Sequence, residues 1–163
     1  MAPFLQPTHS HRPVTDCSVR AARSDDYDQW LELWDGYLRC YEVSLPDEVT
    51  ASTWARFFDA DEPIHALIAE CGGELLGLAH YSFHLSSWNI QPYCYLEDLF
   101  TAAGARGQGV GRLLIEEVYQ AAAQESAVRV YWQTHEGNHQ AQGLYNRIAT
   151  QTGFIVYQKL LDR

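Results

Sequence analysis

The residues best suited to chemistry form a run rich in glycine and arginine between a predicted strand and a predicted helix: Arg106-Gly107-Gln108-Gly109-Val110-Gly111-Arg112. The start of a helix presents unpaired N–H groups and the positive end of the helix dipole, and glycine lets a phosphate approach the backbone closely. Arg106 and Arg112 add charged donors. The run therefore predicts a binding site for a phosphate-bearing ligand.

Three classes of ligand use loops of this kind. A dinucleotide loop requires glycine where Arg112 stands and a suitable acidic residue about 20 residues later, which this chain lacks. A nucleoside-triphosphate loop requires Lys and then Ser or Thr after the last glycine, where Arg112 and Leu113 stand. The remaining pattern, R-x-x-G-x-G after a strand, resembles the pyrophosphate loop of the Gcn5-related N-acetyltransferases (GNAT).

The resemblance extends over three further segments: Tyr95-Leu96-Glu97-Asp98-Leu99-Phe100, Tyr131-Trp132-Gln133-Thr134-His135, and Asn138 through Ala141 to Leu144-Tyr145. Together they resemble the subgroup of diamine (spermidine/spermine) acetyltransferases and yeast histone-and-polyamine acetyltransferases. The resemblance covers roughly Cys17 to Leu161, with the specific motifs after Trp88. It implies one α/β domain with a mixed, mostly antiparallel sheet, two splayed central parallel strands, flanking helices, and acetyl-CoA in the cleft.

Acetyl transfer to an amine sets the roles that the site must fill. An amine attacks a thioester as the free base, and an alkylammonium ion such as that of lysine has a pKa of about 10. The resemblance makes Tyr145 the general acid beside the departing sulfur, although Tyr145 also falls on an apolar helix stripe that would suit a core residue. It makes Glu97 the base, directly or through water; a surface or hydrogen-bonding role is the alternative. On a regular strand Asp98 faces the other way, so we expect the two carboxylates not to share one role.

The remaining site residues are also implied by the resemblance. The strand residues Leu99, Phe100 and Thr101 would bind the pantetheine arm and the acetyl carbonyl through their backbone. Asn138, with Ala141, would contact coenzyme A, and Asn138 is equally suited to cap a helix. The acceptor pocket would involve Trp88, Asp98, Glu97, Tyr37 and Tyr41.

Histidine and cysteine patterns do not indicate a metal. The pairs His80/His84 and His135/His139 are four residues apart, but the first lies in a predicted strand and the second straddles a loop and a helix start. The four cysteines form no CxxC pair, and we expect reduced thiols. We therefore expect no metal cofactor, while His135 could help to relay a proton.

Length and charge narrow the class of protein. The 163 residues suit one domain, with Met1–Thr15 as a flexible leader and residues 16–163 as the acetyltransferase domain. No apolar run approaches the roughly 20 residues of a membrane span. The formal charge of −10 disfavours nucleic acid. Many acids fall between Asp25 and Glu62; they suit either a solvated helix face or a field that attracts a cationic substrate.

Hydrophobic periodicity predicts the element order β-α-α-β-β-β-α-β-α-β. The first strand spans Cys17–Ala21, and a helix capped by Ser24 follows. A hairpin turns at Gly72-Gly73, and a strand over Tyr93–Thr101 leads into the glycine-rich loop. A last strand is predicted over Phe154–Leu161 from its alternating pattern.

We therefore predict a cytoplasmic enzyme that moves an acetyl group from acetyl-CoA to the primary amine of a polyamine, diamine or basic amino acid by direct attack in a ternary complex. One alternative is an acetyl-CoA-binding sensor or assembly module without turnover. Another is an acetyltransferase of the same fold that acts on proteins or antibiotics. We expect a homodimer with no membrane or nucleic-acid partner.

Overall fold

The computed structural model describes residues 17–161 as two compact units, residues 17–132 and residues 133–161. The predicted leader, Met1–Thr15, lies outside the described residues and stays a prediction. Within residues 17–161, no helix is both long and apolar enough to span a bilayer.

The first unit is a five-stranded sheet with helices on both faces. Its strands follow one another in chain order, antiparallel from β1 to β4 and parallel between β4 and β5. Its elements are β1 (Cys17–Ala21), a 3-10 turn (Ser24–Asp26), α1 (Tyr27–Cys40), α2 (Asp47–Arg56), β2 (Ile64–Cys71), β3 (Glu74–Ser86), β4 (Asn89–Thr101), a second 3-10 turn (Ala103–Ala105), α3 (Val110–Gln124) and β5 (Val130–Tyr131).

Two helices cover the two faces of this sheet because successive strand residues point to opposite sides. Trp30 and Trp34 of α1 are buried against Leu78 of β3. A Cβ atom on the neighbouring Gly77 would instead meet Leu114 of α3 at 3.0 Å. Each large apolar side chain buried in this way stabilises the fold by about 1.5–3 kcal/mol.

The parallel pair β4–β5 separates soon after it begins. Only Cys94 with Val130 and Tyr95 with Tyr131 are paired, whereas β4 continues to Thr101. The mixed, mostly antiparallel sheet and the splayed parallel pair are therefore confirmed. The pair stands at the edge of the described sheet, not at its centre, because no strand is placed beyond β5.

A disulfide corrects the expectation of four reduced thiols. Cys17 and Cys71 are direct partners in the antiparallel β1–β2 register, with Cα atoms 4.1 Å apart, and they form a disulfide. Strand register, and not sequence spacing, brings them together across 54 residues. Cys40 and Cys94 are free. The cytoplasmic location inferred from reduced thiols loses that support.

One acid of the charged stretch has a structural role. The Asp26 carboxylate accepts two hydrogen bonds from the Arg20 guanidinium, at 2.6 and 2.8 Å, and one from the backbone N–H of Arg23 at 2.7 Å. Arg20 also pairs with Glu70 on β2. Hydrogen bonding to Arg20, against the opposing effect of burial, lowers the pKa of Asp26. Asp26 therefore fastens the start of α1 to the sheet and is not part of a solvated face.

The second unit contains α4 (His139–Ile148). Its start is capped as predicted, because Asn138 Oδ1 accepts a hydrogen bond from the N–H of Ala141 at 3.3 Å. The prediction of a last strand over Phe154–Leu161 is wrong, since residues 151–161 form neither helix nor strand and are exposed. Alternation marks a segment able to form a strand, but a strand also needs a partner for its backbone groups.

Candidate active site

A β-bulge interrupts β4 at the predicted carboxylates. Leu96 lies opposite Tyr81 and Asp98 lies opposite His80, so Glu97 is an extra residue with no cross-strand partner. The bulge reverses the alternation, and Asp98 therefore points to the α1 face together with its partner His80. The prediction that regular alternation separates the two carboxylates is wrong for this reason.

The bulge places both carboxylates beside a group of tyrosines, which we call the acid–tyrosine cluster: Glu97, Asp98, Tyr37, Tyr41 and Tyr95. Burial, then the charge and hydrogen bonding of Asp98, raise the pKa of Tyr37, and Glu97 adds a smaller effect. Burial and then the charge of Glu97 raise the pKa of Tyr95. The rings of Tyr37 and Tyr41 are 4.9 Å apart. The structure therefore brings together four predicted site residues and Tyr95, which the sequence did not single out for the acceptor.

Glu97 itself is perturbed in the direction that suits a base. Glu97 is an exposed residue at the bulge, but partial desolvation and the charge of Asp98 raise the pKa of its carboxyl. A higher pKa makes a carboxylate a stronger proton acceptor. Two adjacent carboxylates also attract a cation.

A buried histidine is hydrogen-bonded to Asp98. Nδ1 of His80 lies 3.0 Å from Oδ2 of Asp98, and Nε2 accepts a hydrogen bond of 3.0 Å from the indole N–H of Trp30. His80 is fully buried, and the rings of Trp34 and Phe57 lie 5.2 and 4.6 Å from it. The sequence indicates His80 only as a possible metal ligand, because nothing in the sequence shows the bond to Trp30.

The glycine-rich loop has the backbone that its sequence predicts. Gly107 and Gly109 have φ angles of 74° and 90°, in the region that favours glycine, and Gly109 immediately precedes α3. Apart from the adjoining residues of the chain, no atom lies within 4 Å of the Cβ position of either glycine, so the loop surface is open. The first N–H groups of α3, from Val110 to Arg112, lack helical partners and are suited to an anion.

The polar side chains of this loop have local partners. Arg106 donates to the carbonyl of Thr101 at 3.3 Å, and its guanidinium lies 5.7 Å from the ring of Phe100. Gln108 donates to the carbonyl of Gly104 at 2.8 Å. Arg112 is exposed and pairs with Glu116, one turn further along α3, at 2.7 Å. Arg106 therefore contacts the end of β4. Because Arg112 is paired with Glu116, a phosphate-bearing ligand would have to compete with that carboxylate for the guanidinium of Arg112.

A cavity of about 560 Å³ adjoins the loop on the α1 side. Its lining includes Gly36, Arg39, Cys40, Phe100, Ala102 and Arg106.

One edge of β4 is unpaired over part of its length. Beyond Tyr95, no strand within residues 17–132 pairs with the β5-facing edge of β4, where Leu99, Phe100 and Thr101 lie. Unpaired backbone groups of a strand can bind the amides of an extended ligand.

Trp88 lies apart from the carboxylates. It occupies the tight turn between β3 and β4 and is 79% exposed. Glu97 follows Asn89 by eight strand residues, a span of roughly 26 Å at 3.3 Å per residue. The structure therefore does not bring Trp88 to the acid–tyrosine cluster, and its predicted role stays a prediction.

The predicted acid and coenzyme contacts occupy the second unit. Asn138 and Ala141 form the capped start of α4, and Tyr145 lies one turn later with its side chain half-buried. Their roles toward acetyl-CoA stay predictions. His135 accepts a hydrogen bond at Nδ1 from the N–H of Gly137, so this nitrogen is engaged within its own loop.

An arginine that the sequence did not single out extends the cluster along the sheet. The guanidinium of Arg129 lies 3.9 Å from the ring of Tyr93 and 5.0 Å from that of Tyr131. Tyr131 in turn packs against Tyr95 at 5.0 Å. Within residues 17–161 Arg129 pairs with no carboxylate.

The described residues contain no candidate metal site. No group of three His, Cys, Asp or Glu side chains within residues 17–161 is placed to hold a metal.

The parallel pair β4–β5 and the glycine loop at the start of α3 are the features that the resemblance implied for an acetyl-CoA-dependent N-acetyltransferase. The profile of the acetyltransferase (GNAT) family matches residues 30–149, and the chain belongs to this family. The family predicted from the motifs is therefore confirmed.

Two similar proteins, both N-acetyltransferases, are consistent with the predicted subgroup. The chain is 37% identical over 143 residues to the D-amino-acid N-acetyltransferase HPA3 of Saccharomyces cerevisiae, covering 86% of this chain and 89% of that protein. It is 27% identical over 88 residues to the thialysine N-epsilon-acetyltransferase of Caenorhabditis elegans, covering 54% of each. Among solved structures, the aminoglycoside acetyltransferase AAC(6')-Iy in complex with a bisubstrate analogue superposes with a TM-score of 0.78 at 18% identity, covering 90% of this chain and 99% of that one.

Proposed function

We propose that this N-acetyltransferase acts on the primary amine of a small cationic acceptor, which attacks acetyl-CoA directly in a ternary complex. The observation that carries the proposal is the acid–tyrosine cluster, in which a bulge gathers Glu97 and Asp98 next to three tyrosines. Carboxylates and aromatic faces are the groups that bind ammonium ions.

Glu97 is the proposed base. It receives the proton that the ammonium loses, directly or through water, so that the free amine can attack the thioester carbonyl. The raised pKa of Glu97 brings it closer to that of the amine, which makes this proton transfer less unfavourable. Asp98 provides the second negative charge that holds the cation in place.

The acetyl-CoA side of the site is proposed from the loop and the free edge of β4. The N–H groups of Gly107 to Arg112 would hold the pyrophosphate, with Arg106 and Arg112 adding positive charge. The backbone of Leu99, Phe100 and Thr101 would hold the pantetheine arm. Tyr145 would protonate the departing thiolate, and Asn138 with Ala141 would contact coenzyme A.

Among the possible acceptors, Arg129 favours one that also carries a carboxylate. Arg129 packs on Tyr131, which in turn packs on Tyr95 of the cluster, and Arg129 has no carboxylate partner within residues 17–161. The positive charge of Arg129 would attract an acceptor that carries a carboxylate, whereas it would repel a polyamine. The names of the yeast and nematode relatives, which specify amino-acid substrates, point the same way.

The test is thiol release from acetyl-CoA with a panel of amines: spermidine, putrescine, lysine, a D-amino acid, an aminoglycoside and a histone-tail peptide. The proposal expects release that depends on a small cationic amine and falls by a factor of about ten or more in Tyr145→Phe. Arg129→Gln should raise the KM for lysine and lower that for putrescine, because the variant loses both the attraction for a carboxylate and the repulsion of a dication. Turnover of the peptide or aminoglycoside alone would contradict the proposed acceptor class.

We also propose a homodimer. Its support is the segment Phe154–Leu161, which exposes six large apolar side chains: Phe154, Ile155, Val156, Tyr157, Leu160 and Leu161. Light scattering should give about twice the mass of one 18.6 kDa chain. A single-chain mass would contradict the dimer.

A further inference from the structure

The hydrogen bonds of His80 fix which ring nitrogen carries the proton. The indole nitrogen of Trp30 is a donor only, so Nε2 of His80, at 3.0 Å, must accept and carries no proton. The proton of the neutral ring therefore lies on Nδ1, from which it is donated to Oδ2 of Asp98 at 3.0 Å. Trp30 thus determines the tautomer of His80, and because of this tautomer Asp98 accepts a hydrogen bond from the Nδ1–H group of His80.

The surroundings of His80 leave the ring no alternative position. It is fully buried, and the aromatic rings of Trp30, Trp34 and Phe57 enclose it at centroid distances between 4.6 and 6.0 Å. Rotation of the ring would break both hydrogen bonds and leave buried polar atoms unpaired. The donor that Asp98 meets is therefore fixed in place and direction.

We propose that His80, with its tautomer set by Trp30, is a positioning residue that orients the Asp98 carboxylate toward the acceptor ammonium beside Glu97. One oxygen of Asp98 is engaged by His80, and the carboxylate plane is thereby set at the bulge. The inference rests on the proposed acceptor site, and it adds two buried residues that touch neither acetyl-CoA nor the amine.

Two substitutions of His80 separate this role from a role in the core alone. In His80→Asn the amide nitrogen replaces Nδ1 and can still donate to Asp98, but the acceptor for Trp30 is lost. In His80→Gln the amide oxygen replaces Nε2 and can accept from Trp30, but the donor to Asp98 is lost. Each variant removes one buried hydrogen bond, so the two losses of melting temperature should be similar.

Acceptor affinity would be measured by calorimetry with putrescine and with lysine in the presence of coenzyme A, so that the readout does not depend on turnover. His80→Gln should weaken binding of the acceptor by about 10- to 100-fold, because a misplaced positioning group has effects of this order. His80→Asn should stay within about threefold of wild type. Affinity for coenzyme A should be unchanged in both.

Equal losses of acceptor affinity in the two variants would overturn the positioning role. Losses of acceptor affinity that simply follow the losses of melting temperature would overturn it as well. Failure of the wild type to bind either amine would overturn it as well. If both variants fail to fold, the ¹⁵N spectrum of the wild-type histidines decides: a proton on Nδ1 of His80 supports the inference, and a proton on Nε2 overturns it. Absence of acetyl transfer in a protein that binds the amines would contradict only the proposed function.

Discussion

The indole nitrogen of Trp30 lies 3.0 Å from Nε2 of His80, and this bond joins α1 to β3 in the interior of the protein. The same helix carries Tyr37 and is followed directly by Tyr41, whereas His80 bonds to Asp98 on β4. The bond therefore joins the helix that carries Tyr37 to the strand pair β3–β4, which carries the members of the acid–tyrosine cluster that lie on β4.

Loss of this bond should destabilise the fold. Trp30→Phe leaves Nε2 of His80 buried without a donor, and we expect the free energy of unfolding to fall by about 2–3 kcal/mol. Trp34→Phe is the matched control: it removes a similar volume, but the indole of Trp34 makes a longer bond of 3.4 Å to Thr50. Urea titration of both variants measures the difference. Equal losses would show that packing alone matters at Trp30.

The glycine loop should not tolerate a side chain at Gly109. Its φ of 90° costs an L-residue about 1–2 kcal/mol, although there is space for the methyl group. Gly109→Ala should therefore weaken acetyl-CoA binding through the backbone. Gly104→Ala, in the preceding 3-10 turn and also in open space, should have little effect. Calorimetric titration with acetyl-CoA compares them, and identical affinities would argue against a role for the loop conformation.

The Cys17–Cys71 disulfide should contribute measurably to stability. Closing a loop across 54 residues stabilises a fold by about 2–4 kcal/mol, so Cys17→Ser or reduction should lower the melting temperature. Cys40→Ser removes an exposed free thiol and should leave the response to reductant intact. A wild-type melting temperature that is insensitive to reductant would mean that the bond adds no stability.

The Arg20–Asp26 pair predicts a specific dependence of stability on pH. The folded pKa of Asp26 is lowered below its unfolded value of about 3.9, so the carboxylate stabilises the fold above that pH. The contribution is lost as the pH falls through the lowered pKa. Asp26→Asn should cost about 2 kcal/mol at pH 7 and progressively less below pH 4, since hydrogen bonds to charged groups are of this strength.

The control for this pair is Asp25→Asn, a change in the exposed neighbour of Asp26. It should leave the free energy of unfolding nearly unchanged at both pH values. A cost for Asp26→Asn that does not diminish in acid would indicate lost packing and not a lost charge.

The sequence predicts most elements of this fold because their signals are local. The strand at Cys17–Ala21 and the hairpin turning at Gly72 and Gly73 occur as predicted. Asn138 caps α4, and Gly109 precedes α3 with the backbone that its residue type favours. Each of these rests on a few neighbouring residues and elementary rules of capping and turns.

What the sequence did not predict depends on strand register and tertiary packing. The bulge at Glu97 inverts the side on which Asp98 lies, and nothing in the alternation of β4 signals it. The Cys17–Cys71 pairing and the Trp30–His80 bond join residues 54 and 50 positions apart. The apolar pattern of Phe154–Leu161 predicts a strand, but its partner is not specified by the segment itself.

The most direct test of the proposed mechanism is the pH profile of acetyl transfer in wild type and Glu97→Gln. In the wild type, kcat/KM should rise with pH as Glu97 ionises, at a pKa raised from the ordinary value of glutamate by partial desolvation and by the charge of Asp98. Glu97→Gln should lower kcat/KM by about 10²- to 10⁴-fold and abolish that limb, since general-base catalysis contributes on this scale. A variant that keeps its activity within about twofold, with the limb intact, would contradict the assignment of Glu97 as the base.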